Sequence, residues 1–283
     1  MKRRPPHRTL GAIAFHGFGI IAAALFLAPL AWAALSSLRN SSESGNPPLP
    51  PWPQQGPSDA NYLALDRFGS GIVHYSLNSL SVALGTVTLT LILSVLAGYG
   101  FSRFRFPAKS LIFVLIMTTI MIPFQSILTP LFVILSRLGL QNTHLGLVLV
   151  YTTLQLPFSV FMMRNAFDAI PIEIDEAARV DGASPAIVLI RIMLPLLMPG
   201  IVTVAIFAFL NSWNEFLAAL IFLSEDDKFT LPVMMTAVRA GRMGSIDWGA
   251  LQAGVTIMML PCLVIFLLLQ RFYVRGLTAG AVK

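Results

Sequence analysis

Long apolar runs alternate with short polar segments along the chain. The runs cover about residues 10–35, 75–100, 110–135, 145–163, 198–223 and 250–269. A helix needs about 20 mainly apolar residues to cross the hydrocarbon core of a bilayer, and it satisfies its own backbone hydrogen bonds there. The pattern therefore predicts an all-α membrane protein with six transmembrane helices.

The first run allows two interpretations. It follows a basic N-terminus, and Ala31-Trp32-Ala33 within it resembles the cleavage site of a signal peptide. The apolar core of a signal peptide is usually only about 7 to 15 residues long, whereas this run is longer. We therefore favour a retained helix, and both interpretations place the N-terminus inside the cell.

A polar interval over residues 36–71 separates the first helix from the others. It contains six prolines (Pro47, Pro48, Pro50, Pro51, Pro53 and Pro57). Because proline disrupts helix interiors, the interval is predicted to be an extended external loop. The sequence thus divides into the N-terminal helix with this loop (1–70), a transmembrane core (71–270) and a cytoplasmic tail (271–283).

Composition and charge support this topology. Of 283 residues, 56% are hydrophobic and 11% are charged, against about 25% charged in soluble proteins. The net charge of +6 does not indicate nucleic-acid binding, because basic residues collect in the cytoplasmic loops of membrane proteins. The predicted inside segments hold 13 of the 19 Lys and Arg residues, which places both termini and residues 168–195 in the cytoplasm.

Prolines also occur within the runs. Pro123 and Pro130 are predicted to interrupt the third run, and Pro157 the fourth. A proline in a spanning helix leaves a carbonyl that neighbours or water must satisfy. Such breaks fit a bundle around a pathway, although a simple packing kink explains each of them equally well.

The segment 168–195 is polar but helix-like, and it holds five of the chain's 13 acidic residues. Pro171 suits a first helical turn, and Gly182 suits the left-handed position after a helix end. Ser184 and Pro185 suit the start of a second helix, expected from Ala186 to about Met193 and ending near Pro195. The segment is predicted to form two short helices joined at Gly182.

A docking role for this segment is one of two open interpretations. Ala177 and Ala178 leave a shallow surface that another backbone can approach, and Glu176 and Arg179 can orient a partner. The alternative is an interfacial loop that packs only on its own bundle.

The spacing of several residues resembles a known pattern. Glu176-Ala177-Ala178 is followed by Gly182, and Ile192-x-Leu194-Pro195 comes ten residues after Gly182. This spacing resembles the EAA loop of ABC importer permeases. The segments 211–216, 247–249 and 270–280 are similar to the carbohydrate-uptake, MalG-like branch. The resemblance covers about residue 70 to the end and implies a type I importer (MetI-like) fold.

The resemblance also implies roles for individual residues. The residues expected to couple to a cytoplasmic ATPase are Glu176, Ala177, Ala178, Arg179, Asp181, Gly182, Ile192, Leu194 and Pro195. In the C-terminal tail, Gly276, Leu277 and Thr278 are expected to approach the same ATPase.

The resemblance further implies a set of partners. A second, MalF-like permease subunit would form a heterodimer with this chain, and a homodimeric ATPase would supply energy. An extracytoplasmic solute-binding protein would deliver the solute and face residues 224–247. The chain has no Gly-x-x-x-x-Gly-Lys-Ser/Thr phosphate loop, so ATP and Mg²⁺ are expected on the ATPase, with no cofactor on this chain. The expected location is the bacterial inner membrane.

Polar residues within the spans are candidates for a substrate pathway. They are Asn211, Trp213, Asn214 and Glu215 of the fifth span, with Asn78 and Gln155, and more weakly Gln125 and Tyr151. An ionisable group such as Glu215 is expected to face protein or water, since burial in lipid is costly. Trp213 could stack on a sugar ring, but packing or gating between helices also explains such residues.

Three other functions fit the sequence less well. A permease for an amino acid or peptide would share the architecture but not the sugar-branch segments. A membrane-embedded enzyme would need a set of paired catalytic groups, and neither such a set nor metal-ligand spacing occurs in the sequence. An ion-coupled transporter is expected to show inverted repeats and more charges within the membrane.

Overall fold

The computed structural model describes residues 7–40, 43, 49–240 and 246–279, with side chains described between residues 15 and 270. Every regular element within these ranges is helical, which confirms the predicted all-α class. The helices are α1 (His7–Ser37), α2 (Ala60–Asp66), α3 (Ile72–Arg103), α4 (Lys109–Thr118), α5 (Phe124–Arg137), α6 (His144–Asp168), α7 (Ile172–Val180), α8 (Pro185–Ile187), α9 (Leu194–Leu196), α10 (Met198–Asn214), α11 (Leu217–Phe222), α12 (Leu231–Ala240) and α13 (Trp248–Ala279). A π-helical segment (Val188–Met193) joins α8 to α9, and 3₁₀ turns lie at Thr119–Met121 and Asp226–Lys228.

Long apolar helices account for the predicted spans. Within the described ranges, α1, α3, α6 and α13 are each long and apolar enough to cross a membrane. Two bent pairs also qualify: Lys109–Met121 with Phe124–Arg137, bent by 104°, and Pro185–Leu196 with Met198–Asn214, bent by 79°. With each bent pair taken as one span, these ranges contain the six spans that the sequence predicts.

The prolines within the spans differ in their effects. Pro123 ends the first half of its span, and Ile122 before it is extended (φ −78°, ψ 119°), as expected since proline disfavours helical conformation in the preceding residue. Pro130 and Pro157 lie inside α5 and α6, which continue through them. The predicted interruptions at these two positions are therefore wrong. Leu128 and Leu135, which precede and follow Pro130 in α5, are buried in the apolar core.

The fifth predicted span, 198–223, is wrong as a single helix. Helix α10 ends at Asn214, Glu215 is extended (φ −70°, ψ 132°), and α11 begins at Leu217. The break places the Glu215 carboxylate beside the start of α11, where it accepts backbone hydrogen bonds.

One compact unit comprises residues 1–72 and 235–260. Within it, the interval predicted as an extended loop contains α2, so that prediction is wrong for residues 60–66. The last proline, Pro57, precedes this helix; Pro47 and Pro48 lie outside the described residues. The buried Asn61 side chain donates to the carbonyls of Ser37 (2.9 Å) and Arg39 (2.7 Å), satisfying acceptors left free at the end of α1.

The second compact unit comprises residues 73–234 and 261–283. In this unit α3 approaches α6 closely at two glycines. A Cβ at Gly85 would lie 2.9 Å from Val148 Cγ2, and one at Gly98 would lie 2.7 Å from Met163 Cβ. Small residues allow membrane helices to pack at short range. Buried apolar side chains then form one core beside α11 and a second beside α7.

Candidate functional site

The first helix of the segment 168–195 begins one residue later than predicted. Pro171 is its N-cap (φ −54°, ψ 137°), and Ile172 is the first residue of α7. Glu173 and Asp175 lie in the first turn, where carboxylates interact favourably with the positive end of the helix dipole.

The end of α7 forms the predicted turn at Gly182. Its φ is +80°, a left-handed conformation that glycine adopts without a steric penalty. The Gly182 amide donates to the Arg179 carbonyl (3.0 Å), and the Ala183 amide donates to the Ala178 carbonyl (3.0 Å). These two bonds are those of a Schellman motif, which satisfies carbonyls at the end of a helix.

The second helix starts as predicted but continues differently. The Ser184 side chain accepts from the Ile187 amide (3.4 Å), and Pro185 follows it at the first helical position. After one α-helical turn the chain becomes π-helical over Val188–Met193 and then continues to Leu196. The predicted helix from Ala186 to Met193 is thus an α–π hybrid.

The outer face of α7 is exposed and carries both short and charged side chains. Val180 is 88% exposed, and Glu176, Ala177, Arg179 and Asp181 are also exposed. Gly182 is exposed beside them.

Ala178 lies on the opposite face of α7. It is 8% exposed and belongs to the apolar core, so the shallow surface predicted for both alanines holds only for Ala177. The small side chain of Ala178 instead lets α7 lie against its own bundle. Ile192 and Leu194 are partly buried against that core, whereas Pro195 is exposed.

A buried ion pair joins α7 to the end of α3. Arg103 Nε pairs with Asp175 Oδ2, and the two side chains are 6% and 3% exposed. Arg103 also donates from Nη2 to the Ile170 carbonyl (2.7 Å), in the turn before α7. The neighbouring Ser102 hydroxyl donates to Asp168 Oδ1 (2.5 Å). Sequence reasoning missed this pairing, because Arg103 reads there only as one more cytoplasmic basic residue.

A second candidate region is a cavity of about 210 Å³ within the span bundle. Helices α3, α6 and α10 and the break after α10 supply its lining residues, which are Thr86, Tyr151, Leu154, Gln155, Ala208, Asn211, Ser212 and Glu215. Four of the predicted pathway residues therefore lie in one place: Gln155, Asn211 and Glu215, with the weaker candidate Tyr151. We call it the polar cavity.

Glu215 connects the polar cavity to α11. Its carboxylate accepts the Tyr151 hydroxyl (2.6 Å) and the backbone amides of Ala218 (2.9 Å) and Ala219 (3.2 Å). A carboxylate at a helix start satisfies free amides and meets the positive end of the helix dipole. These donors explain how an acidic group is accommodated within the spans.

Amide side chains form the next part of the cavity wall. Asn211 donates from Nδ2 to Gln155 Oε1 (2.8 Å), which links α10 to α6. Ser212 is hydrogen-bonded to Thr86 of α3 (3.4 Å). Thr86 and Ser212 are not among the sequence candidates, because hydroxyl side chains are common in spans and carry no distinct pattern.

The other predicted pathway residues lie elsewhere. Trp213 is 3% exposed, does not line the polar cavity and stacks on Phe209, with ring centroids 5.7 Å apart. Asn214 is exposed and donates to the Leu210 carbonyl of its own helix (2.8 Å). Gln125 is also exposed.

Asn78 and two histidines hold the segment 224–230 in place. Asn78 donates to the Asp227 carbonyl (2.8 Å), and His74 Nε2 lies 2.6 Å from the same oxygen. His144 Nε2 lies 2.9 Å from the Lys228 carbonyl. Because a carbonyl only accepts, both rings donate through Nε2. These residues thus make structural contacts at the ends of the spans.

Asn142 anchors the start of the same segment. Its φ is +58°, and its Oδ1 accepts the amides of Ser224 (3.0 Å) and Glu225 (3.3 Å). A hydrogen bond from Lys228, with the attraction of its ammonium group, holds the pKa of Glu225 below its ordinary value.

The predicted C-terminal tail begins inside α13, which continues to Ala279. Gly276, Leu277 and Thr278 belong to this helix, but their side chains lie outside the described residues. Among side chains that the structure describes, no three of His, Cys, Asp or Glu group closely enough to hold a metal ion.

Comparisons with known proteins agree with the architecture. Residues 90–278 match the family described as the inner membrane component of binding-protein-dependent transport systems. The chain is 33% identical to the arabinooligosaccharides transport system permease protein AraQ of Bacillus subtilis, over 100% of both chains. It is 32% identical to the trehalose transport system permease protein SugB of Mycobacterium tuberculosis, covering 91% of this chain and 92% of SugB.

Two further similarities extend this result. The chain is 35% identical to the sulfoquinovosyl glycerol transport system permease protein SmoH of Agrobacterium fabrum, covering 91% of this chain and 89% of SmoH. Its fold matches a crystal structure of a bacterial ABC transporter involved in the import of the acidic polysaccharide alginate. That match has a TM-score of 0.80 and 19% identity, and covers 96% and 100% of the two chains.

Proposed function

The chain belongs to the family of inner membrane components of binding-protein-dependent transport systems, and we propose that its solute is a sugar. It is a permease subunit of an ABC importer, a multi-pass membrane protein and not an enzyme. Importers of this kind work with an ATPase and a solute-binding protein. What supports a sugar is that relatives matching nine-tenths or more of this chain are named for trehalose, arabinooligosaccharides and sulfoquinovosyl glycerol.

The polar cavity supports the same class of solute. Amide groups both donate and accept hydrogen bonds, as sugar hydroxyls do, and Gln155 and Asn211 present such groups beside the Glu215 carboxylate. We assign Gln155, Asn211 and Glu215 to the wall of the solute pathway. Of the remaining candidates, Asn78 holds the segment 224–230, whereas Trp213 and Asn214 make contacts within α10.

The exposed face of α7 is the proposed seat of the ATPase. The observation that carries this proposal is the exposure of Val180 among short and charged side chains, on a helix whose other face is fastened to the bundle. The Gly182 turn and the segment leading to Ile192, Leu194 and Pro195 hold this face in position. ATP and Mg²⁺ would bind on the ATPase, and Gly276, Leu277 and Thr278 at the end of α13 would lie near it.

The complete importer would contain four further polypeptides. A second, MalF-like permease would complete the pathway as a heterodimer with this chain, two copies of one ATPase would dock in the cytoplasm, and a binding protein would dock outside. The excess of Lys and Arg in the cytoplasmic segments supports an orientation with both termini inside. The location would then be a bacterial inner membrane.

Uptake by the reconstituted importer tests the solute class. The chain would be placed in liposomes with its partner permease, its ATPase and the binding protein encoded beside it, and labelled sugars, amino acids and peptides would be supplied. We expect ATP-dependent uptake of a sugar that requires the binding protein. Uptake of an amino acid or peptide in place of every sugar would refute the proposal.

A substitution in the cavity wall tests the pathway. Replacing Asn211 by Ala removes an amide that can form one neutral hydrogen bond with the solute. Such a bond contributes about 0.5–1.5 kcal/mol, so the KM for uptake should rise about two- to tenfold. Thr203→Ala on the same helix is the control, since Thr203 does not line the polar cavity and its hydroxyl donates to the Pro199 carbonyl of its own helix. Equal KM values for the two variants would contradict the assignment.

A further inference from the structure

The contacts between α7 and α3 suggest how motion of α7 reaches the rest of the bundle. On the proposed function, the ATPase pulls or pushes on α7. A nine-residue helix between two short turns would pivot under such a load unless it were fastened on its inner side. The described contacts on that inner side include the apolar packing of Ile174 and Ala178 and the ion pair of Asp175.

The Arg103 guanidinium contacts three groups, two of them in or beside α7 and one on its own helix. Its Nε pairs with Asp175 inside α7, its Nη2 donates to the Ile170 carbonyl before α7, and its Nη1 donates to the Ser102 hydroxyl (3.1 Å). A planar guanidinium presents several donors in fixed directions, whereas a lysine ammonium acts as one compact charge. Arg103 therefore fixes both the position and the direction of α7 relative to the end of α3.

The surrounding contacts extend this fastening to two other helices. Asp168, at the end of α6, accepts the Ser102 hydroxyl and lies 3.5 Å from Arg164. The Arg164 guanidinium lies 4.1 Å from the centre of the Phe113 ring on α4. The ends of α3 and α6 and the middle of α4 are thus linked through side chains near α7.

Burial makes the pair of Arg103 and Asp175 different from a surface ion pair. Both side chains are at least nine-tenths shielded, so salt and water weaken their attraction little. Removing one partner would leave the other charge buried without compensation. By contrast, Arg105 lies two residues further along the chain and is exposed.

We propose that Arg103 and Asp175 are positioning residues that couple movement of α7 to α3, and so link the ATPase to the bundle. This inference rests on the docking of an ATPase at α7. The pair does not touch the partner, because both side chains point into the bundle. Its loss should therefore leave ATPase binding intact while reducing the response of the ATPase to the loaded binding protein.

A double-mutant cycle on the reconstituted importer tests the pair. The variants are Arg103→Met, Asp175→Asn and the two together, with Arg105→Met as the exposed control. Coupling between two sites in one protein commonly amounts to five- to 150-fold, so each single variant should lower stimulated ATPase activity and uptake about tenfold. The double variant should also lose about tenfold, since the two single changes abolish the same ion pair. Basal ATPase activity and co-purification of the ATPase should stay at the level of the control.

The outcomes separate this inference from the proposed function. Losses that multiply to about a hundredfold in the double variant would overturn the inference, as would native stimulation in both single variants. Failure of the unmodified chain to co-purify with its ATPase would instead refute docking at α7. If the neutral variants do not accumulate in the membrane, Arg103→Lys is used instead, because it keeps the positive charge but loses the fixed directions of the guanidinium donors. ATPase stimulation equal to that of Arg105→Lys would overturn the inference.

Discussion

The turn at Gly182 allows a direct test of the backbone conformation that the segment 168–195 requires. Apart from its chain neighbours, a Cβ at this position would meet no atom of the described residues within 4 Å, so a substitution acts through φ alone. At the observed φ of +80°, an ordinary L-residue costs about 1–2 kcal/mol. Asparagine tolerates the left-handed region better, and a β-branched residue tolerates it least. The expected order of decreasing stability is therefore Gly, Asn, Ala, Val.

The magnitude follows from the two hydrogen bonds that depend on this conformation. A cost of 1–2 kcal/mol shifts the balance between formed and unformed turn by about five- to thirtyfold. We expect Gly182→Ala to lower sugar uptake and the yield of co-purified ATPase, with Gly182→Asn close to native and Gly182→Val below Ala. Both quantities would be measured on the detergent-solubilised importer and in proteoliposomes.

Two results would contradict this reasoning. Native behaviour of the Ala and Val variants would show that the left-handed turn is not needed for coupling. Equal loss in the Asn and Ala variants would show that the partner's surface excludes any side chain, so that contact rather than backbone strain decides the effect. Expression of each variant in the membrane serves as the control for folding.

Three further predictions concern packing and the external segment. Gly98→Ala places a Cβ against α6 and should destabilise the solubilised protein by about 1–3 kcal/mol in thermal unfolding. The control is Gly100→Ala, whose Cβ would meet no described atom within 4 Å and should leave the stability unchanged. Equal melting temperatures of the two variants would contradict the close approach of α3 and α6. Tyr151→Phe removes a donor from the Glu215 carboxylate and should lower stability by about 0.6–2 kcal/mol, within the range for polar contacts between membrane helices; an unchanged melting temperature would show that this hydrogen bond is dispensable. Asn142→Gly loses the side-chain acceptor but allows the positive φ, whereas Asn142→Ala loses the acceptor and disfavours the positive φ. Hydrogen exchange of the amides of residues 224–230 should therefore rise more in the Ala variant. Equal exchange in the two variants would exclude a role for the backbone conformation.

Local backbone chemistry made several features predictable. The turn at Gly182, the cap at Ser184 and the number of spans depend on residues within a few positions of one another or on the apolar content of a single run. The helix start at Pro171 was misplaced by one residue for a related reason, because proline is compatible with both the N-cap and the first turn. The membrane orientation and the roles of the coupling residues remain predictions.

Only the tertiary structure decided which distant groups meet. Nothing local distinguishes Pro123, where the chain bends, from Pro157, where α6 continues, because flanking helices determine whether a weakened turn survives. The break at Glu215 depends on Tyr151, 64 residues away, and the position of α7 depends on Arg103, which reaches Ile170 across 67 residues. The sequence alone determined the number of spans, the turn at Gly182 and the cap at Ser184, because those preferences arise within one run or within one or two turns. Packing alone decided where the intramembrane and cytoplasmic charges find their partners, because buried polar groups must be satisfied by whatever the folded chain brings within reach.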